Sequence, residues 1–257
     1  MKSIWIAFIV FILAASPLQA KDFIIFGTND PPYKYHEGDK NEVKGIVVDV
    51  LKEVFDELSI KPIFKIVDSD SRIQAELIAG RIQMAMLYSK NAERQRYLIY
   101  PDQSFIDISW NLFIRNEDLG KIQFTNYQDL TSLNIGVVKD VSYTEEFLNS
   151  GLKFIQVPRT GLELRMLLAK RFDAIPLPTV STIFEAKESE ALSQITYLPK
   201  VIKNKPYYNV FSKSTKYPDI QSISQRYDEI ILNMKNDGRI LRIFEKYLGA
   251  GHQWNDQ

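Results

Sequence analysis

The sequence predicts an α/β protein built on a mostly parallel sheet, and three observations carry that expectation. Short apolar runs of strand character alternate with segments whose apolar residues recur at helical spacing, an order that calls for parallel strands joined by crossover helices. One helix–turn–strand unit, residues 77–87 (LIAGRIQMAML), returns ninety residues later as residues 167–177 (LLAKRFDAIPL), which predicts two similar lobes. Apolar residues make up 45% of the chain, enough for a sizeable core. Acidic and basic side chains number 32 each, a balance that offers no footprint for nucleic acid or an anionic membrane face.

Residues 1–20 read as an export leader. Lys2 supplies the positive start, residues 4–15 an apolar run too short to span a bilayer, and Leu18, Gln19 and Ala20 a cleavage end, so the mature chain is expected to begin at Lys21. The sequence contains no Cys, which excludes disulfides, thiolate chemistry, Cys-ligated metal and a lipid-modified Cys anchor. A Cys-free exported chain suits an oxidising envelope compartment.

Residues 23–26 form a first expected strand. In the loop that follows, Pro31 and Pro32 forbid regular structure and present Asp30, Tyr33 and Tyr35 from a stiff segment. Gly45 leads into an amphipathic helix over residues 47–58, and residues 63–67 read as the next strand. The helical pattern of Ile73, Leu77 and Ile78 stops at Gly80, which suits the left-handed turn after a helix, and residues 82–87 read as a short buried strand. Residues 105–115 are extended and contain Trp110. Residues 134–138 form a strand whose loop, 139–144, opens a helix. A Ser or Thr there caps the helix and leaves backbone N–H groups for an anion. After a strand at 154–157, Thr160 to Glu163 carries a capping-box signature before a helix over 164–171. Residues 220–234 and 240–248 read as two terminal helices separated by Asn236, Asp237 and Gly238.

Open α/β sheets place ligands outside the carboxyl ends of their strands. The loop past residues 82–87 carries Tyr88, Ser89 and Arg94. Arg suits a carboxylate there because its planar fork donates two parallel hydrogen bonds. His36 and His252 share no ligand-like spacing, so no metal site and no cofactor are expected.

The order of these segments resembles the family 3 extracellular solute-binding proteins, the periplasmic receptors of polar amino-acid ABC transporters. The resemblance rests on residues 45–50 (GIVVDV), on 90–94 (KNAER) followed by 100–102 (YPD), on 135–138 (IGVV), on 171–174 (RFDA), and on 234–238 (MKNDG) with 244–247 (FEKY). It covers nearly all of the chain after the leader. It implies a two-lobed periplasmic-binding-protein type II fold, each lobe a mostly parallel sheet flanked by helices, joined by two hinge strands. Lobe 1 would comprise residues 21–110 and 208–257, and lobe 2 residues 111–207. It further implies a monomeric, non-enzymatic periplasmic receptor that closes on a small carboxylate-bearing ligand and hands it to a membrane permease. Arg94 would hold the carboxylate with help from Ser142, Tyr143 and Thr144 of the other lobe, and Tyr33 would fall near the aromatic that lines the first-lobe wall.

Three departures from that pattern qualify the site. The loop around Ser89 is about one residue shorter, so either Tyr88 or Ser89 takes the ligand-bonding Ser position. The aromatic expected near residues 69–72 is absent, leaving Ser69, Asp70, Ser71 and Arg72. Pro178 stands where a second-lobe acid holds an α-ammonium. Either Asp30 supplies the missing charge or the ligand lacks that amine, and zwitterionic amino acids are expected to bind weakly unless Asp30 substitutes. The same scaffold serves periplasmic dehydratases of cyclohexadienyl acids, for which Glu93, Asp30 and Tyr88 are the nearby acid–base candidates. It also serves sensory subunits that present a closed lobe pair to a membrane receptor.

Overall fold

The structure, a computed structural model, describes residues 22–37, 42–138, 143–158 and 161–249; the leader, Ser142, Thr160 and His252 lie outside the described residues. The chain runs through β1 (Phe23–Gly27), a small ribbon of β2 (Tyr35–His36) and β3 (Val43–Lys44), α1 (Ile46–Glu57), β4 (Pro62–Ile66), α2 (Asp70–Ile78), β5 (Met84–Ser89), β6 (Leu98–Ile99) and β7 (Ile106–Arg115). It continues with β8 (Asn134–Val138), α3 (Glu145–Leu148), β9 (Lys153–Val157), α4 (Glu163–Leu168), β10 (Ala174–Pro178), α5 (Thr179–Glu188), β11 (Ile195–Ser212), α6 (Ile220–Asn236) and α7 (Arg239–Leu248).

One sheet contains two copies of the same arrangement. Its order is β4-β1-β5-β11-β7-β10-β8-β9, with β6 also pairing β11. β4-β1-β5 and, from the other edge, β9-β8-β10 both place the second strand, the first and then the third, and all pairs inside each trio are parallel. Between the trios run β7 and β11, antiparallel to each other and to the strands they flank. The repeat at residues 77–87 and 167–177 falls on the helix-to-third-strand junction of each trio: α2 into β5, and α4 into β10.

Local chemistry explains the elements. On α1, Val47, Val48, Leu51, Val54 and Phe55 are buried and recur at helical spacing. Gly45 precedes α1 at φ 130°, and a Cβ there would collide with the Tyr33 carbonyl, so only glycine fits. Ser69 caps α2 by accepting from the Arg72 amide at 3.3 Å, and Gly80 at φ 68° ends that turn against the Ser214 carbonyl. Gln83 lies ahead of β5 and ties to β1 through both its side chain and its amide, so the strand starts at Met84, two residues later than the apolar run suggests.

Two differences from the sequence reading concern the second trio. Helix α4 begins at Glu163 with Leu162 at the cap position and no side-chain cap bond, and the Glu163 carboxylate accepts the Gly161 amide at 2.6 Å; the expected cap residue Thr160 lies outside the described residues. Helix α5 has no counterpart in the sequence reading, and β11 enters it only as a hinge strand implied at the lobe boundary between residues 207 and 208. β11 is interrupted by a register shift between Tyr197 and Val201, where Pro199 has no N–H to donate. Buried Asn111 of β7 fills that gap, its Nδ2 donating to the Leu198 carbonyl at 3.0 Å and the Pro199 carbonyl at 3.3 Å. Among the described residues, no helix is long and apolar enough to cross a membrane.

Candidate functional site

Strand directions locate the site. β5 runs antiparallel to β11 and ends with Ser89 opposite Tyr207. β10 runs antiparallel to β7 and ends with Pro178 opposite Trp110, and Trp110 in turn pairs with Lys203 of β11. The carboxyl ends of the two parallel trios therefore point at each other along β11. Between them lies the stretch from Lys203 to Tyr207, roughly 13 Å at about 3.3 Å per residue. The loops after β1, β4, β5, β8 and β9 leave from the same facing ends, which is where open α/β sheets hold ligands.

Arg94 is set into the first of those ends. Its Nη1 donates to the Ser89 carbonyl at 3.2 Å and to Ser89 Oγ at 3.0 Å, while the guanidinium carbon lies 4.8 Å over the centre of the Tyr88 ring. These contacts fix the plane of the fork and consume its Nη1 hydrogens. Nε and Nη2 form the remaining edge, with Asp70 Oδ2 3.6 Å from Nη2. Side-chain exposure of 22% keeps the group within reach of solvent. The Tyr100 hydroxyl donates to the Ser89 carbonyl at 2.9 Å, and burial pushes that phenol up to about 12.

Asp70 opens α2, at a position that the sequence marks only by the absence of an aromatic. The Tyr88 hydroxyl donates to its Oδ1 at 2.5 Å and Gln74 Nε2 donates to its Oδ2 at 2.7 Å. Burial first, and then that bond to Asp70, hold the Tyr88 phenol well above its ordinary value. Tyr88 therefore serves as a donor that positions Asp70 and a platform under Arg94, and Ser89 is the residue that orients the arginine.

The loop after β1 supplies a second ion pair. Lys34 Nζ lies 3.2 Å from Asp30 Oδ2, and Asp30 also exchanges backbone hydrogen bonds with Lys34. Burial pulls the Lys34 amine below its usual range, opposed by Asp30 and, at longer range, by Asp70. Gly27 makes room for the lysine stem: a Cβ there would sit 2.8 Å from Lys34 Cδ. Tyr207 feels both halves of this cluster, since burial and Asp30 raise its phenol while Arg94 lowers it. Lys34 was not legible as a site residue, because the sequence shows it only as a polar residue between two tyrosines.

The other expected residues divide. Tyr33 corrects the expectation of a wall aromatic. Its ring is 2% exposed in the hydrophobic core, drawn in by the backbone contacts of residues 32–33 with the start of α1. In the second trio, Thr144 caps α3 by accepting from the Phe147 amide at 3.3 Å. Tyr143 accepts the Val138 amide at 2.9 Å through its hydroxyl, and its ring stands edge-on to Trp110 at 5.9 Å. Ser142 lies outside the described residues. At the end of β10, Thr179 Oγ1 lies 2.6 Å from Asn111 Oδ1, and Lys203 Nζ stands 5.3 Å over the Trp110 ring. Among the described residues this edge is aromatic, with Pro178 at the strand end. Among the described residues, no group of three or more His, Asp or Glu is placed to hold a metal ion.

Two parallel trios crossed by two long antiparallel strands are the fold of the type II periplasmic binding proteins. The sequence profile of bacterial extracellular solute-binding proteins, family 3, matches residues 24–250, and the chain belongs to that family. A search of curated protein sequences gives no match. Solved structures give many. The L-cystine solute receptor of Neisseria gonorrhoeae, unliganded and open, superposes with a TM-score of 0.74 at 17% identity, covering 90% of this chain and 94% of that one. The second substrate-binding domain of Lactococcus lactis GlnP, in an open conformation, gives 0.73 at 15% identity over 92% and 99%. The second substrate binding domain of a putative amino acid ABC transporter from Streptococcus pneumoniae gives 0.71 at 16% over 88% and 99%. At such identities the likeness carries the fold alone.

Proposed function

We propose that the chain is a periplasmic solute receptor that captures a small carboxylate-bearing ligand, an amino acid or related organic acid, and delivers it to a membrane permease. The observation that carries this reading is the anchored Arg94 fork at the meeting point of the two trios. Its plane is fixed by Ser89 and Tyr88, it remains 22% exposed beside Asp70, and its planar fork suits a ligand carboxylate. The lobes would be residues 21–110 with 208–257, and residues 111–207, connected by β7 and β11. The similar proteins of known structure include receptors and transporter domains for amino acids, which favours a ligand of that size and charge. Two of the three acid–base candidates weighed for an enzyme sit in fixed pairs, Asp30 with Lys34 and Tyr88 with Asp70, which favours holding a ligand over turning it over.

Native mass spectrometry of the protein purified from its own periplasm tests the proposal. The expected result is a non-covalent mass addition of amino-acid size that disappears on denaturation. A bare protein that is also indifferent, in thermal melts, to every amino acid and simple organic acid offered would overturn it.

A further inference from the structure

The end of β10 carries no acid for a cationic ligand group, since Pro178 and Thr179 stand there beside Trp110 and Tyr143. Asp30 and Asp70 are the acids of the first trio that stand in ion pairs at its facing end. Asp30 is committed to Lys34, whose buried ammonium needs it. Asp70 is placed differently. Its side chain is 46% exposed, and Tyr88 from β5 and Gln74 from its own helix fix its two oxygens. Gln74 is itself held by the Tyr97 hydroxyl at 3.3 Å. An ionised carboxylate offers about four acceptor positions, so these two donors leave Asp70 able to take more. Arg94 Nη2 stands 3.6 Å from Asp70 Oδ2, adjacent in charge but beyond hydrogen-bond length. A positive fork and a negative carboxylate held side by side are the electrostatic complement of a small molecule whose own opposite charges are one carbon apart.

We infer that Asp70 receives the ammonium group of the ligand whose carboxylate Arg94 holds, so that both charges of a zwitterionic α-amino acid are bound by the first trio. The inference rests on the reading of Arg94 as a carboxylate clamp. The ligand side chain then lies toward Trp110 and Tyr143. The weak binding of zwitterions expected from Pro178 gives way to the opposite expectation, with the acid supplied from Asp70 rather than Asp30.

The test uses the full mature protein and two probe sets: the twenty common L-amino acids, and for the best responder the 2-hydroxy acid that replaces its amine with a hydroxyl. In wild type the hydroxy acid should bind at least roughly thirtyfold more weakly, the loss anticipated when one partner of a desolvated charge pair is removed. In Asp70→Asn the amino acid should lose that advantage, the ratio of amino-acid to hydroxy-acid affinity falling toward one. Asp70→Ser, which keeps a short polar residue at the start of α2, is the second variant should the first fail to fold. Equal wild-type binding of amino acid and hydroxy acid overturns the inference and leaves the carboxylate receptor standing, as does an advantage that survives both variants. Silence toward both probe sets overturns the receptor reading and the inference with it.

Discussion

Lys34 Nζ lies 3.2 Å from Asp30 Oδ2, the lysine 3% exposed and the aspartate 44% exposed, so one partner of the pair is buried and the other reaches solvent. Burial lowers the folded-state pKa of Lys34 beneath the 10.5 of a free lysine. Between those two values the unfolded chain holds a proton that the folded protein has released, so this group makes stability rise with pH across that window. The gain is complete above 10.5 and is lost as pH falls through the lowered folded value. Urea unfolding of wild type and Lys34→Met from neutral pH upward should show the wild type gaining relative to the variant as pH approaches 10.5. Curves that stay parallel would contradict the burial of a charged amine.

Gly80 at φ 68° abuts the Ser214 carbonyl, whereas Gly120 at φ 81° has open space, with nothing within 4 Å of where a Cβ would stand. Both should lose about 1–3 kcal/mol on substitution by Ala from the left-handed backbone alone. Gly80→Ala should lose more, because the β5 turn and the segment after β11 must separate. Equal unfolding midpoints for the two variants would show that the close approach has no energetic weight.

Asn111→Leu should cost roughly 1–3 kcal/mol, since it strips the buried Leu198 carbonyl, and the Pro199 carbonyl beside it, of their donor. Chemical unfolding would measure this. An unchanged midpoint would mean that the register shift in β11 is satisfied without Asn111.

The fold was legible where periodicity and punctuation agree. The apolar pattern ending at Gly80 marks α2 and the turn into β5, and its repetition at residues 167–177 marks the same junction in the second trio. β11 was not legible, because Pro199 and Pro206 and the lysines at 200, 203 and 205 interrupt the alternation a strand normally shows. Arg94 and Ser89 stand out from their place past a strand end. Lys34 and Asp70 do not: their roles come from Gly27, which lets a lysine stem pass, and from Tyr88 and Gln74, which reach Asp70 from 18 and 4 residues away. Such meetings depend on tertiary packing, which local pattern does not encode.

β7 and β11 are the long strands shared by the two trios, so relative motion of the trios should be a bend in those two strands. Small-angle scattering with and without a saturating amino acid should show a smaller radius of gyration when bound. An identical radius would count against closure on the ligand.

The central claim is that Arg94 grips a ligand carboxylate, and calorimetric titration of Arg94→Ala against wild type tests it most directly. The titrant is the amino acid that most stabilises the wild-type protein. Wild type should bind one equivalent, and the variant should lose about 2–5 kcal/mol of binding free energy, roughly thirtyfold to several-thousandfold in affinity. Affinity in the variant within a few-fold of wild type would contradict the account.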